Sequence, residues 1–469
     1  MKPTRLSNIA RMTGGRLHGE DRTVDAIATD TRALPPGGAA LFVALKGERF
    51  DGHDHVGKAA QAGVAAALVS REVDAAIPQV VVADTERALA DYAAALQRER
   101  SQTVVAITGS NGKTSVKSLT ETILKRVGNT YATPGNRNNE IGLPLAVIDA
   151  PQDLRFAIYE MGAGKPGDIA YLTAIARPDV SVVNNIAPGH LERMGSLLGV
   201  ADTKAAIYDA LPQDGVAVIN ADDAFAPYFA ERAHGRRLVR FGLDASADIT
   251  ARDIQAHDDG SRFVLVTPQG EAEVALALPG RHNVRNALAA AALALNAGAS
   301  LQAVAEGLNA ARPVAGRLIA HRLDNGAVLI DDSYNANPGS LAAAIDTLAS
   351  TAGEAWLVLG DMRELGVDAD AMHAEAGRRA RGAGIRRLFT LGEHSALATE
   401  AFGEGARHYD SHAELADTLK NELRDGVRVL VKGSRGSAMD KVVNAVVSAM
   451  AASAPNNARP QGKGDTDAA

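Results

Sequence analysis

Apolar residues follow two rhythms along this chain, and the alternation between them outlines its organisation. Short aliphatic runs bounded by glycine, proline or charged residues predict buried strands at 41–45, 80–82, 104–107, 156–159, 180–183, 216–219, 328–330, 356–359, 388–391 and 427–431. Helical spacing fills most of the gaps. Residues 7–12 predict a short helix with Ser7 as N-cap and Gly14-Gly15 closing it, and 56–62 predict another between the first two strands. The first hundred or so residues therefore read as a small mixed α/β unit. From Thr103 onward, strands alternate with helices, including one that runs through Val127 and one over 200–210. That alternation predicts a mainly parallel sheet covered on both faces. Segment 263–278 breaks it and reads as an antiparallel hairpin pair, followed by a long Ala/Leu helix over 284–295. The βα rhythm restarts after Arg312-Pro313, and Asn337-Pro338 reads as N-cap and first residue of a helix. From Ser453 the chain holds Pro, Asn, Gly and charge with no aliphatic anchor, so residues 453–469 are expected to be a disordered tail.

Length and composition narrow this picture. At roughly 150 residues per domain, 469 residues suggest three domains. Aromatics make up only 4% against 46% hydrophobic residues, which suits Ala-rich helices packed on aliphatic strands. The net charge of −7 is scattered, which argues against a general nucleic-acid binder but not against a small anionic ligand. With no cysteine there is no disulfide framework, thiolate zinc site or Cys nucleophile. The start, Met1-Lys2-Pro3-Thr4-Arg5, leads into a polar amphipathic stretch without an apolar core of signal-peptide type, and no long uninterrupted apolar run follows. A cytoplasmic protein with no membrane insertion is expected.

Candidate chemistry sits at strand ends. Thr108-Gly109-Ser110-Asn111-Gly112-Lys113-Thr114 joins a strand to a helix. Backbone N–H groups in such a loop can surround phosphates, with Lys113 on the terminal phosphates and Thr114 on Mg²⁺. Ile107 stands where the full Walker pattern would place its first glycine. Glu160 follows a strand at its carboxyl end, where open α/β sheets bind ligands. On its own it reads either as a solvated carboxylate or as a Mg²⁺ ligand. His190 similarly reads as structural or functional, and Lys204 by itself as a surface lysine. Asn136, Asn138 and Asn139 could cap a loop or touch a ligand. The stretch Asp331-Asp332-Ser333-Tyr334-Asn335-Ala336-Asn337-Pro338, and later Lys432-Gly433-Ser434-Arg435, repeat the strand-end placement.

Taken together, these segments resemble the Mur ligases over nearly the whole chain up to about residue 450. The resemblance is carried by Thr29-Asp30-Thr31-Arg32, the block 41–51, the phosphate loop and Gly135-Asn136-Arg137-Asn138-Asn139-Glu140-Ile141-Gly142. Val183-Asn184-Asn185-Ile186, Pro279-Gly280-Arg281-His282-Asn283, Gly316-Arg317, residues 331–338, residues 360–366 and 432–435 extend it. The phosphate loop alone would admit any Mur ligase or a folylpolyglutamate synthetase; 331–338 and the N-terminal block single out the dipeptide-adding branch. The resemblance implies an α/β fold in three domains: 1–100 for the UDP-sugar peptide, a central parallel-sheet P-loop ATPase over 101–312, and a Rossmann-like domain over 313–452. It implies ATP-dependent ligation of D-alanyl-D-alanine to UDP-N-acetylmuramoyl-tripeptide through an acyl phosphate, with ATP and Mg²⁺ required; a monomer is expected. By the same resemblance, Lys113, His190 and Lys204 are catalytic, and Thr114, Glu160, His190 and Lys204 serve the metal, Lys204 as a carbamate. Residues Thr108, Gly109, Ser110, Asn111, Gly112, Lys113 and Thr114, with His282, Asn283, Arg317, Asp332, Asn335 and Asn337, match the nucleotide side. Thr31, Arg32 and Lys46 match the UDP-sugar side.

Overall fold

The computed structural model describes residues 1–35, 39–47, 50–257 and 259–450; the expected tail over 453–469 lies outside them. Two compact units emerge, one of Met1–Pro313 with Glu364–Val367, the other of Val314–Arg363 with the chain from Asp368 onward.

The first unit holds a six-stranded sheet in the order Arg237–Phe241, Val216–Asn220, Val180–Val183, Thr103–Thr108, Phe156–Glu160, Thr130–Ala132, parallel throughout. Its aliphatic runs exist because both faces are covered. Val104, Ala106, Ala157 and Tyr159 face one core with Leu143, Val147 and Ile169, while Val105, Ile107, Phe156 and Ile158 face the other with Val116, Leu119 and Leu288. Side chains alternate between faces along a strand, so a strand buried on both sides is apolar at most positions. Helix Arg281–Asn296 is the long Ala/Leu helix, and eight consecutive residues, 287–294, are at 0% exposure in the second of these cores.

Before the central sheet lies a five-stranded one in which Ala26–Ala28, Ala40–Val43, Ala66–Val69 and Gln79–Val81 run parallel and Arg16–His18 pairs antiparallel at the edge. The first helix is Leu6–Thr13, one residue longer at each end than expected, and Ser7 is not its N-cap. Asp21 takes that part instead, accepting from the Ser7 backbone N–H at 3.0 Å and its hydroxyl at 2.8 Å. The expected hairpin pair is a three-stranded antiparallel sheet, Thr250–His257, Gly260–Thr267 and Gly270–Leu276.

The second unit is a six-stranded sheet in the order Ile319–Arg322, Val328–Asp332, Val427–Lys432, Glu354–Gly360, Arg387–Leu391, Ala406–Tyr409, parallel except for the antiparallel first strand. Helix Pro338–Ala349 starts where expected: Asn337 accepts from Ser340 N at 2.9 Å, and Ser340 Oγ accepts from Asn337 N at 3.0 Å.

Candidate active site

At the centre of the first sheet, Thr103–Thr108 runs between Phe156–Glu160 and Val180–Val183, so three carboxyl ends open side by side. The loop from Thr108 turns there into helix Lys113–Leu124. Thr108 Oγ1 donates to Met161 O at 2.9 Å, Ser110 Oγ to Ala187 O at 3.0 Å, and Asn111 N to Asn185 Oδ1 at 2.9 Å. Gly112 has φ +78, and a Cβ added there would lie 2.5 Å from both Asn184 Nδ2 and Asn286 Oδ1. Glycine is thus required twice over, by backbone and by space. Lys113 Nζ donates to Gly109 O at 2.8 Å and Ser110 O at 3.4 Å, which holds its ammonium over the loop.

Glu160 faces this loop and is 2% exposed. Its Oε2 accepts from Thr114 Oγ1 at 3.0 Å and lies 3.2 Å from Lys117 Nζ, while Oε1 accepts from Asn138 Nδ2 at 2.9 Å. Burial pushes this carboxyl up, but Lys117, Lys113 and the bonds from Asn138 and Thr114 outweigh it and hold the group below the usual carboxylate range. It is therefore an anion at neutral pH. The sequence reading brought Thr114 and Glu160 forward separately; the fold brings them into contact.

An amide network backs the loop. Asn220 Nδ2 donates to Asn184 O at 2.9 Å; Asn184 Nδ2 donates to Asn111 O at 2.9 Å and to Asn286 Oδ1 at 3.0 Å. Asn286 Nδ2 then donates to Asn283 Oδ1 at 3.1 Å, and Asn283 Nδ2 to Pro279 O at 2.7 Å. Asn283 was expected on the nucleotide side; here its side chain supports the loop through Asn286. Asn286 was missed, although its position three residues after Asn283 on a helix puts both on one face.

His190 sits in the left-handed region at φ +55, with Nδ1 2.5 Å from Glu364 Oε2. Burial lowers its pKa, with Lys204 and Lys113 acting the same way against the opposing pull of Glu364. Lys204, on helix Leu197–Asp209, is 2% exposed, which overturns the surface-lysine alternative. Burial first and then the charge of Lys113 push its ammonium down to about 7. Lys113, His190 and Lys204 thus share one electrostatic neighbourhood.

On the N-terminal sheet, the segments carrying Thr31-Arg32 and Lys46 both follow carboxyl ends of neighbouring parallel strands. Arg32 is 88% exposed at its side chain and forks onto Asp30, whose carboxyl its bonds hold at about 2. Lys46 is exposed and bridges to Asp51 through the backbone. A buried clasp fixes this rim and was missed in the sequence. His53 Nδ1 lies 2.5 Å from Asp51 Oδ1, and His53 Nε2 accepts from Ser70 N at 2.8 Å. Ser70 Oγ also lies 3.1 Å from Nε2, so Asp51, His53 and Ser70 tie this rim to the neighbouring strand end.

The second unit has its own polar cluster at strand ends. Lys432 Nζ pairs with Asp332 Oδ2 at 2.5 Å and donates to Asn335 O at 3.0 Å; Arg317 stacks on the Tyr334 ring at 4.4 Å. Burial pushes the Asp332 carboxyl up despite Lys432. Asn337 spends its side-chain oxygen on the helix cap.

Three family models match in chain order: Mur ligase family, catalytic domain, over 23–100; Mur ligase middle domain over 107–294; and Mur ligase, glutamate ligase domain, over 316–435. The chain is 44% identical over 444 residues to the UDP-N-acetylmuramoyl-tripeptide--D-alanyl-D-alanine ligase of Escherichia coli (strain K12), covering 94% of this chain and 98% of that protein. The chain belongs to the Mur ligase family. Among solved structures, this Mur ligase is similar to a crystal structure of MurF from Acinetobacter baumannii, with a TM-score of 0.90 at 32% identity, covering 96% of this chain and 99% of that one. It is also similar to the MurF ligase of Thermotoga maritima in complex with ADP, with a TM-score of 0.82 at 27% identity, covering 91% and 97% respectively.

Proposed function

We infer that this Mur ligase joins D-alanyl-D-alanine to UDP-N-acetylmuramoyl-tripeptide at the expense of ATP, giving the UDP-N-acetylmuramoyl-pentapeptide precursor of peptidoglycan. The observation that carries this reading is the phosphate loop, with Thr114 bonded to the buried anion Glu160, in a chain 44% identical to a ligase of that name.

A carboxylate is a poor electrophile until one of its oxygens becomes part of a good leaving group. In the reaction, an oxygen of the tripeptide carboxylate attacks the γ-phosphorus of ATP and ADP leaves. The D-alanyl-D-alanine amine then attacks the acyl carbon and loses a proton, and the tetrahedral intermediate expels phosphate. Catalysis consists mainly of positioning and charge neutralisation. The loop delivers the N-terminus of helix Lys113–Leu124 to the phosphates, where its dipole and first-turn backbone favour an anion, and Lys113 neutralises the group in transfer. Thr114 Oγ1 and the Glu160 carboxylate are hard oxygen donors 3.0 Å apart, a set that fits Mg²⁺. No group of three or more His, Cys, Asp or Glu converges among the described residues, which suits an ion whose shell is completed by phosphate oxygens and water. Bound there, Mg²⁺ would offset phosphate charge. His190 and a carbamylated Lys204 would complete a second Mg²⁺ site with Glu160.

Asn283, Arg317, Asp332, Asn335 and Asn337 are assigned to the nucleotide side, and Thr31, Arg32 and Lys46 to the UDP-sugar. The shared strand-end placement of the last three supports their grouping. Three working parts over 1–100, 101–312 and 313–452 are supported by the separate sheets and the three matched segments. No helix among the described residues is long and apolar enough to cross a membrane, in keeping with cytoplasmic work on a UDP-linked precursor.

Phosphate release tests the assignment. With UDP-muramoyl-tripeptide and ATP, release should require D-alanyl-D-alanine and should not be supported by single amino acids. Release driven equally well by a single amino acid on a shorter UDP-muramoyl peptide would assign the chain to a sibling ligase.

A further inference from the structure

Lys117 lies one helical turn beyond Lys113, and nothing in the reaction as described uses it. It is 6% exposed, and its ammonium meets three acceptors: Thr133 O at 2.8 Å, Gly135 O at 3.0 Å and Glu160 Oε2 at 3.2 Å. Two of the three N–H donors of this ammonium are thus committed to carbonyls, and its charge faces the Glu160 carboxylate. The two carbonyls belong to the segment that leads directly into Asn138, whose Nδ2 holds the other oxygen of Glu160 at 2.9 Å. The Glu160 backbone N–H is also tied to this segment, donating to Thr133 Oγ1 at 3.1 Å. Both carboxylate oxygens and the backbone of Glu160 are thus gripped by one closed ring of contacts, and Lys117 is the member that joins the helix to the segment.

We propose that Lys117 is a positioning residue that fixes the Glu160 carboxylate for the divalent cation, acting through Glu160 and touching neither nucleotide nor substrate. This rests on the reading of Glu160 as a metal ligand. A lysine that only stabilised the fold would contribute to metal binding independently of Glu160. One that acts through Glu160 matters only while that carboxylate is present, which a double-mutant cycle resolves.

The test uses the full chain as wild type, Lys117→Met, Glu160→Gln and the double variant. Binding of Mn²⁺ in the presence of ADP is followed by electron paramagnetic resonance, and thermal unfolding is recorded for each protein. Methionine keeps the unbranched stem while removing the donors. Lys117→Met and Glu160→Gln should each weaken Mn²⁺ binding at least about tenfold, and the double variant should lie within about twofold of Glu160→Gln. Unchanged binding by a folded Lys117→Met, or a double variant weakened by the product of the two single effects, overturns the proposal. If Lys117→Met alone does not fold, the double variant decides. Removing the ammonium and the carboxylate together leaves no unpaired buried charge. Binding equal to that of Glu160→Gln then supports the proposal, and binding tenfold weaker again refutes it. Wild-type affinity in Glu160→Gln would instead defeat the metal reading itself, and the proposal with it, a result distinguishable from failure of Lys117 alone.

Discussion

Individual side chains owe their chemistry here to burial that the local sequence does not announce. Lys204 follows Asp202-Thr203 on a helix and looks like any solvated lysine, yet its amine is buried with an ammonium pushed down to about 7. Near neutral pH a good fraction is therefore unprotonated and able to attack CO₂, forming a carbamate and releasing a proton. An ammonium beside Mg²⁺ would be repelled, whereas a carbamate supplies two hard oxygens. Lys204→Ala should accordingly lose at least about 100-fold in turnover, and added formate or acetate should restore part of it by supplying a small carboxylate. Ordinary turnover by Lys204→Ala without either acid would remove this lysine from the site. Lys117 was invisible in the sequence for a related reason. A lysine four residues after Lys113 on a polar helix start gives no local sign of facing inward, and it is the Glu160 carboxylate together with the carbonyls of Thr133 and Gly135 that makes its burial tolerable.

At the scale of elements, the strands that carry the site were the ones most plainly written. Thr103–Thr108, Phe156–Glu160 and Val180–Val183 are buried on both faces and so appear as mostly apolar runs. Thr130–Ala132 and Arg237–Phe241, at the sheet edges, went unread because half-exposed positions interrupt their pattern. Thr250–His257 carries no buried residue in its own span, and its pairing with Gly260–Thr267 creates it rather than any apolar run. The phosphate loop was recognised from its glycines and Lys-Thr ending, but the amide network behind it was not, because the contacts joining Asn184 to Asn220, Asn111 and Asn286 span 36, 73 and 102 residues. That network makes a prediction about the loop as an element. Gly112→Ala would drive a methyl into Asn184 and Asn286 and strain a backbone at φ +78. ATP affinity should fall at least about tenfold, equivalent to roughly 1.4 kcal/mol, while binding of the UDP-sugar peptide stays within about twofold. Equilibrium binding of each ligand to the variant checks this; unchanged ATP affinity would mean the loop does not hold the nucleotide.

For the molecule as a whole, the sequence conveyed the α/β class, the parallel central sheet and the family, and the fold added contacts among matched residues, such as that between Thr114 and Glu160. Separate sheets, each with polar residues at its strand ends, suit a reaction that draws on a UDP-sugar peptide, a nucleotide and a dipeptide. The central claim is chemical: ATP cleavage serves to activate a carboxylate as an acyl phosphate. The most direct measurement uses UDP-muramoyl-tripeptide labelled with ¹⁸O in the carboxylate that becomes the new amide, incubated with the chain, ATP, Mg²⁺ and D-alanyl-D-alanine. Mass spectrometry of the released phosphate should find one ¹⁸O transferred from that carboxylate for each amide bond formed. Phosphate carrying no label, at the same yield of pentapeptide, would contradict the account.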